Sequence, residues 1–230
     1  MNRLLRLNLI RHGETNLNFK KVCQGHTDGK LTELGINQAI SLGKAQSDAK
    51  YDLIFSSDLS RAVDTCSNIL KNNKSFNDSI TEHQKLRIIR ERYYGDADGV
   101  LLVEDYLSEA KRLGIPLREH QPAENAETVD QMKIRIQEFI DVFVSQSKNL
   151  EKVSVEILIV SHAIFLKEFL RYVQEKYGPI KNSTKKEFPL NLEGILRNTS
   201  RTVLELDVQG DDILNVEALV YDDISHYDNL

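Results

Sequence analysis

An apolar run, Leu4-Leu5-Arg6-Leu7-Asn8-Leu9-Ile10, stops abruptly at Arg11-His12-Gly13-Glu14-Thr15. The run has the length and apolar density of a buried strand. A strand that ends this way sets a cation and an imidazole at the carboxyl edge of a sheet. In open α/β sheets that edge is where ligands bind. Gly13, directly after the histidine, predicts a sharp turn and a close approach of backbone to ligand. The ligand that suits this pair is a phosphate. Arginine offers a fork of N–H donors, and histidine is a nucleophile toward phosphorus.

The pattern of strand then helix recurs along the chain. A helix is predicted over residues 32–45, with Ile36, Ala39, Ile40 and Gly43 on one face at i, i+3, i+4, i+7 spacing. A short buried strand follows at 53–56. The helix after it, 59–70, carries a stripe of Leu59, Ala62, Val63, Cys66, Ile69 and Leu70. Residues 86–89 read as a further strand. Thr128-Val129-Asp130-Gln131 has the capping-box pattern. It opens a long helix that turns Val129, Met132, Ile136, Phe139, Ile140 and Phe143 inward. Residues 155–160 are continuously apolar apart from Glu156, as in a strand covered on both faces. A helix at 164–173 follows. Two late strands, 202–208 and 213–220, flank the turn signal Gly210-Asp211-Asp212. The expected fold is therefore α/β: a three-layer sandwich with a mainly parallel central sheet and helices on both faces. All 230 residues read as one domain. Residues 96–127, charged and holding Pro116 and Pro122, read as an insertion or lid with a short helix near 103–113. Residues 178–198 read as a long loop.

Three predicted strands end in polar residues at the same edge. The first presents Arg11 and His12. The second leads through Ser56-Ser57-Asp58-Leu59-Ser60 to Arg61, which lies off the apolar stripe of its helix. The third ends in Ser161-His162-Ala163. Helix N-termini point to the same place and favour anions. Phosphoryl transfer needs a nucleophile, cationic neutralisation of the oxygens and a proton for the leaving group. One histidine attacks through a neutral ring nitrogen, while the other joins Arg11 and Arg61 on the oxygens; the residues alone leave open which is which. Glu91, in Arg90-Glu91-Arg92-Tyr93-Tyr94-Gly95, is the best-placed acid.

Composition narrows the partners. The formal net charge of −5 implies no basic face, which argues against nucleic acid. No segment reaches the ~20 apolar residues of a membrane span. Arg6 and Asn8 interrupt the first apolar run, so it does not read as a signal peptide. Cys23 and Cys66 do not make a disulfide framework in a chain of this length. They read as reduced thiols of a cytoplasmic protein, with nuclear access left open. Cys66 falls on a core stripe.

With these motifs together, the chain resembles the histidine phosphatase superfamily, also called the phosphoglycerate mutase-like family. The resemblance rests on Arg11-His12-Gly13-Glu14-Thr15-Asn16-Leu17-Asn18, Gln24-Gly25, and the helix from Leu31 to Ala39. It rests equally on Ser56-Ser57-Asp58-Leu59-Ser60-Arg61-Ala62-Val63-Asp64-Thr65, Arg90–Gly95 and Ser161-His162. It implies that His12 is the phosphohistidine nucleophile and Glu91 the proton donor and acceptor. It implies that Arg11, Asn18, Arg61 and His162 bind phosphate, with Gln24 and Gly25 beside them. Arg92 and Tyr94 are counted with the substrate-binding candidates. No cofactor and no metal are implied. The chain departs from the family pattern at Ala163, where relatives have Gly, and at Asn125-Ala126-Glu127-Thr128, where they have Gly-Gly-Glu-Ser/Thr.

The longer Arg- and Pro-rich segment of sugar-phosphate mutases is not found here. Residues 123–135 and Asn198-Thr199-Ser200 look most like fructose-2,6-bisphosphatase-like and broad-specificity fungal phosphatases. The expected activity is hydrolysis of a small phosphorylated metabolite by a monomer or weak homodimer. The alternatives are a phosphoglycerate mutase and, third, a phosphate-binding scaffold without turnover. Arg90 and Arg92 flank the acid and, in an extended backbone, point away from it together. They serve a second anionic group or pair with surface carboxylates.

Overall fold

The computed structural model describes residues 2–77, 79, 81–181, 190, 192 and 194–230. Strands β1 (Asn2–Arg11), β2 (Leu53–Ser57), β3 (His83–Leu86), β4 (Ser154–Ser161), β5 (Arg201–Gln209) and β6 (Asp212–Asp223) form one sheet in the order β3-β2-β4-β1-β5-β6. The first four are parallel; β5 and β6 add an antiparallel pair beside β1.

Alternation along β1 and β4 feeds two cores. Leu5, Leu7 and Leu9, with Val155, Ile157 and Ile159, pack under α5 (Val129–Lys148) and α6 (Ala163–Tyr177). Ile10, Leu158 and Val160 face α2 (Glu33–Ala45) and α3 (Ser60–Lys71) on the other side. The helix after β1 therefore lies on one face, and the helix after β4 on the other. The chain reverses its winding between these neighbours, which makes their carboxyl ends the switch point of the sheet.

The predicted elements are present, with three corrections. Of residues 86–89 only Leu86 is strand: β3 covers His83–Leu86, and a 3₁₀ turn, Arg87–Ile89, follows. That turn frees the chain from the sheet just before Glu91. The inward face of α2 is Gly35, Gln38, Ala39, Ser41, Leu42 and Gly43, while Ile36 is exposed. Buried Gln38 and Ser41 bond the backbone of Glu14 and His226, so polar work rotates the helix away from its apolar spacing. Gly13 is not a positive-φ turn. A Cβ on it would stand 2.5 Å from the carbonyl oxygen of Gly35, so close packing of two backbones requires the glycine.

The segment 96–127 contains α4 (Val103–Leu113), ended by Gly114 in the left-handed conformation. Its start is zipped to the loop after α1 (Asn16–Phe19): Cys23 N–H donates to Leu101 O and Val103 N–H to Lys21 O. The segment thus stands at the carboxyl edge. Of the predicted loop 178–198, residues 182–189, 191 and 193 lie outside the described residues.

Candidate active site

The register of β1 on β4 decides which side chains meet. Arg11 pairs with Ser161, and the next N–H, that of His12, donates to Ser161 O at 2.9 Å. His12 and His162 therefore leave adjacent strands at one level, their ring centroids 5.2 Å apart. Both are buried. Arg61 enters from the first turn of α3 and is fully enclosed. Its position off the apolar stripe reflects a side chain aimed at this edge.

Hydrogen bonds fix the state of both rings. His12 Nδ1 lies 2.7 Å from its neighbour's carbonyl, Gly13 O, which only an N–H can satisfy. The proton is on Nδ1, and the Nε2 lone pair has no donor among the described residues. His162 Nδ1 is 3.2 Å from Arg61 Nε and accepts from it. Its proton is therefore on Nε2, a buried atom with no partner among the described residues. Burial pushes both histidines well below the usual imidazole range, and the Arg61 charge lowers both further. Both rings are neutral near pH 7.

The arginines are held by carbonyls. Arg61 Nη1 donates to Thr27 O and Nη2 to Gly25 O. Each of these nitrogens keeps a second N–H. Burial brings the Arg61 guanidinium down to about 10, with Glu91 opposing the shift. Arg11 Nη1 donates to Leu196 O, and its buried Nε has no partner among the described residues. Gly25 has φ +49°, and a Cβ there would overlap the Asp98 carboxylate at 1.7 Å, so only glycine presents this carbonyl to Arg61. Asn18 Oδ1 caps α1 through Thr15 N–H, which leaves the amide nitrogen for a ligand. Gln24 accepts from the Thr15 hydroxyl at 3.0 Å.

Glu91 sits at the start of α6. Its Oε1 accepts from Arg92 N–H (2.9 Å) and Phe165 N–H (3.0 Å), and its Oε2 from Ile164 N–H (3.2 Å). Two amides of that helix N-terminus, those of Ile164 and Phe165, are therefore taken by a carboxylate. At α3, Ser60 N–H goes to Asp28 and Leu59 N–H to Ser57 Oγ. Protein acceptors thus take part of each helix N-terminus, and side chains supply further donors toward the cluster.

The structure brings together His12, His162, Arg11 and Arg61, with Glu91, Asn18, Gln24 and Gly25 around them. It does not bring Arg92 or Tyr94 into this cluster. Arg92 is buried and donates to Glu127 O, Arg118 O and the Tyr106 hydroxyl. Tyr94 packs edge-on against Tyr106, near Cys23. Arg90, by contrast, makes the surface pair, with Asp58 at 2.6 Å. Burial lifts the Cys23 thiol to about 12 and raises that of Cys66 too, so both are held as thiols.

Supporting residues lay outside the expected set. Thr65 accepts from Gly13 N–H and donates to Arg61 O, tying the first two motifs together. Asn198 Nδ2 donates to His12 O at 2.9 Å, and the Tyr227 hydroxyl donates to Asn198 O. Arg135 holds Glu127 with two bonds and reaches the carbonyls of Ile88 and Arg90. Thr65 and Asn198 stood within quoted motifs, but nothing in their spacing marked a role. Among the described residues, no helix is long and apolar enough to cross a membrane.

Comparison with known proteins agrees with this geometry. Fructose-2,6-bisphosphatase TIGAR of Xenopus tropicalis is 38% identical over 139 residues, 59% of this chain and 48% of that protein. A broad-specificity phosphatase of Saccharomyces cerevisiae is 37% identical over 105 residues, 45% of this chain and 44% of its own. The chain spans about half the length of these curated relatives. A crystal structure of phosphoglycerate mutase from Bacillus anthracis superposes with a TM-score of 0.76 at 21% identity, covering 98% of this chain and 96% of that one. It confirms the three-layer fold. The sequence model of the histidine phosphatase superfamily (branch 1) matches residues 7–217. With a match of that extent, this chain belongs to the histidine phosphatase superfamily.

Proposed function

We propose that the protein hydrolyses small phosphomonoesters through a phosphohistidine at His12. One observation carries the reading. Among the described residues, a neutral ring with a free Nε2 lone pair lies beside two buried N–H donors without partners, His162 Nε2 and Arg11 Nε. A phosphoryl group supplies what both sides lack: an electrophile for the lone pair and oxygens for the donors.

In the first step His12 Nε2 attacks phosphorus in line with the ester oxygen. Arg11, Arg61, Asn18 and His162 hold the three equatorial oxygens. The P–O ester bond breaks, and the leaving oxygen takes a proton from the Glu91 carboxyl. In the second step water attacks the phosphohistidine and gives a proton back to Glu91. The N–P bond breaks, and His12 and inorganic phosphate are released. Gln24 and Gly25 position Asn18's loop and Arg61. The relatives named as phosphatases support hydrolysis over mutation of phosphoglycerate, as does the lack of the longer mutase segment. On the same reading, residues 96–127 form a lid over the site within one domain. The protein works in the cytoplasm, as a monomer or weak homodimer, without nucleic acid.

The test is turnover of an aryl phosphate and of sugar phosphates by wild type and His12→Ala. Wild type releases phosphate, and the variant does not. Acid-labile, base-stable phosphate is trapped on the wild-type protein during turnover. Equal release by the variant overturns the reading, and so does transfer between positions of phosphoglycerate that outpaces hydrolysis.

A further inference from the structure

The β1–β5 ladder keeps one register as far as Ile10 and Arg201, and there it ends. Beyond it, residues 198–200 run beside the peptide that carries His12. Thr199 N–H donates to Arg11 O at 2.9 Å, and the Asn198 side-chain amide donates to His12 O at 2.9 Å. On the other flank, His12 N–H is held by Ser161 O. The His12 peptide is thus gripped by β4 on one side and by residues 198 and 199 on the other.

The second grip is made with a strained residue. Thr199 has φ +47°, in the left-handed region. Among the described residues Lys21, Glu151, Thr199 and Asp222 are the non-glycine residues with positive φ, and of these only Thr199 has a branched Cβ. Such a side chain is an outlier there: Cβ lies too close to the following carbonyl oxygen, and χ1 has little freedom to adapt. A residue in that state persists only where its surroundings over-determine it. Here they do. Thr199 is wholly buried, and its Oγ1 is bonded to His226 Nε2 at 2.9 Å. Tyr227 donates its hydroxyl to Asn198 O. His226 and Tyr227 belong to a 3₁₀ turn, Ser225–Asn229, pinned to α2 by the Ser41 hydroxyl, which donates to His226 O. Glycine would take this conformation freely but could not bond His226.

We propose that Thr199 is a positioning residue for His12. The 225–229 turn clamps Thr199 in the left-handed conformation. Its N–H, with the neighbouring Asn198 amide, then fixes the carbonyls of Arg11 and His12, and so the His12 ring. In its effect on rate this rests on the phosphatase reading; in its effect on the ring it does not.

Thr199→Val and Thr199→Gly test it, with thermal melts to verify folding. Valine keeps the branched side chain but loses the bond to His226; glycine loses the same bond together with the strain. Were packing the only role, valine would be the mild change and glycine, which leaves a cavity, the severe one. The clamp gives the opposite order. Valine lowers kcat on an aryl phosphate about tenfold or more with KM within about twofold, and glycine lowers kcat by less than about threefold. His226→Ala acts like the valine change in wild type and shifts kcat by under about twofold in the Thr199→Gly background. That pair gives the same answer should the valine protein not fold. The ring-nitrogen resonances of His12, identified by their loss in His12→Ala, report the same order without turnover: displaced by valine, native-like with glycine. A wild type without phosphatase activity would sink the phosphatase reading alone, since those resonances still decide this one. Valine at wild-type kcat and resonances, or glycine as damaging as valine, overturns the inference.

Discussion

Gly13→Ala puts the contact between the loop after His12 and α2 to the test. The new Cβ would stand 2.5 Å from Gly35 O, where ordinary contact begins at 3.4 Å, so one backbone must yield by about 0.9 Å. Neither can yield alone. Gly13 N–H is held by Thr65 Oγ1 at 2.9 Å, and the neighbouring Glu14 N–H by Gln38 at 3.0 Å. Overpacking of this kind costs about 1–3 kcal/mol. In a chain of this size each kcal/mol lowers Tm by roughly 2–4 °C. The displaced residue also accepts the His12 Nδ1 proton through Gly13 O, so the His12 ring moves with it. A misplacement near 1 Å costs on the order of a hundredfold in rate. The assays are a thermal melt and kcat on an aryl phosphate. Gly114→Ala is the control: its φ is +68° but nothing lies within 4 Å, so it loses only backbone comfort, about 1 kcal/mol, and keeps kcat. A Gly13→Ala protein with wild-type Tm and kcat would refute the argument that backbone contact sets the histidine.

Tyr227→Phe removes the hydroxyl that holds Asn198 behind His12; stability falls by about 0.5–1.5 kcal/mol, and kcat falls several-fold with KM little changed. Equal kcat would show the prop to be idle. His226 is buried, accepts or donates at Thr199 Oγ1, and titrates at about 4. The unfolded chain takes up that proton near pH 6.5 while the folded one does not, so stability is full above pH 6.5 and declines as pH falls toward 4. The slope from this residue reaches up to about 1.4 kcal/mol per pH unit, and His226→Gln flattens the denaturant midpoint measured between pH 7 and 5. Cys23, with its thiol held near 12, does not react with a chromogenic thiol reagent at pH 8 until denaturant is added. Rapid labelling of the native protein would contradict its burial.

The order of strands and helices was legible because burial on two faces writes long apolar runs, as in residues 155–160, and because Thr128 and Gln131 announce a helix start. Both bonds of that capping box are present. The residues that meet around His12 and His162 were legible as polar breaks at strand ends. What stayed hidden depends on contacts between distant segments. The need for glycine at position 13 comes from position 35, not from its own φ. Arg92 reads like Arg90 along the chain, yet one is buried under α4's segment and the other pairs at the surface. The inward turn of Gln38 and Ser41 follows from the backbone groups they meet, which local spacing does not encode.

The position of β1 carries a consequence for synthesis. Its strand partners begin at residues 154 and 201, so the peptide bearing His12 leaves the ribosome with nothing to pair with. At about 5–20 residues per second, some 8–30 s pass before β4 is made. During that delay residues 4–10 are an unpaired apolar strand, the kind of segment that chaperones bind and aggregates recruit. Arg11 and His12 are the first part of the cluster to be translated and among the last to be assembled.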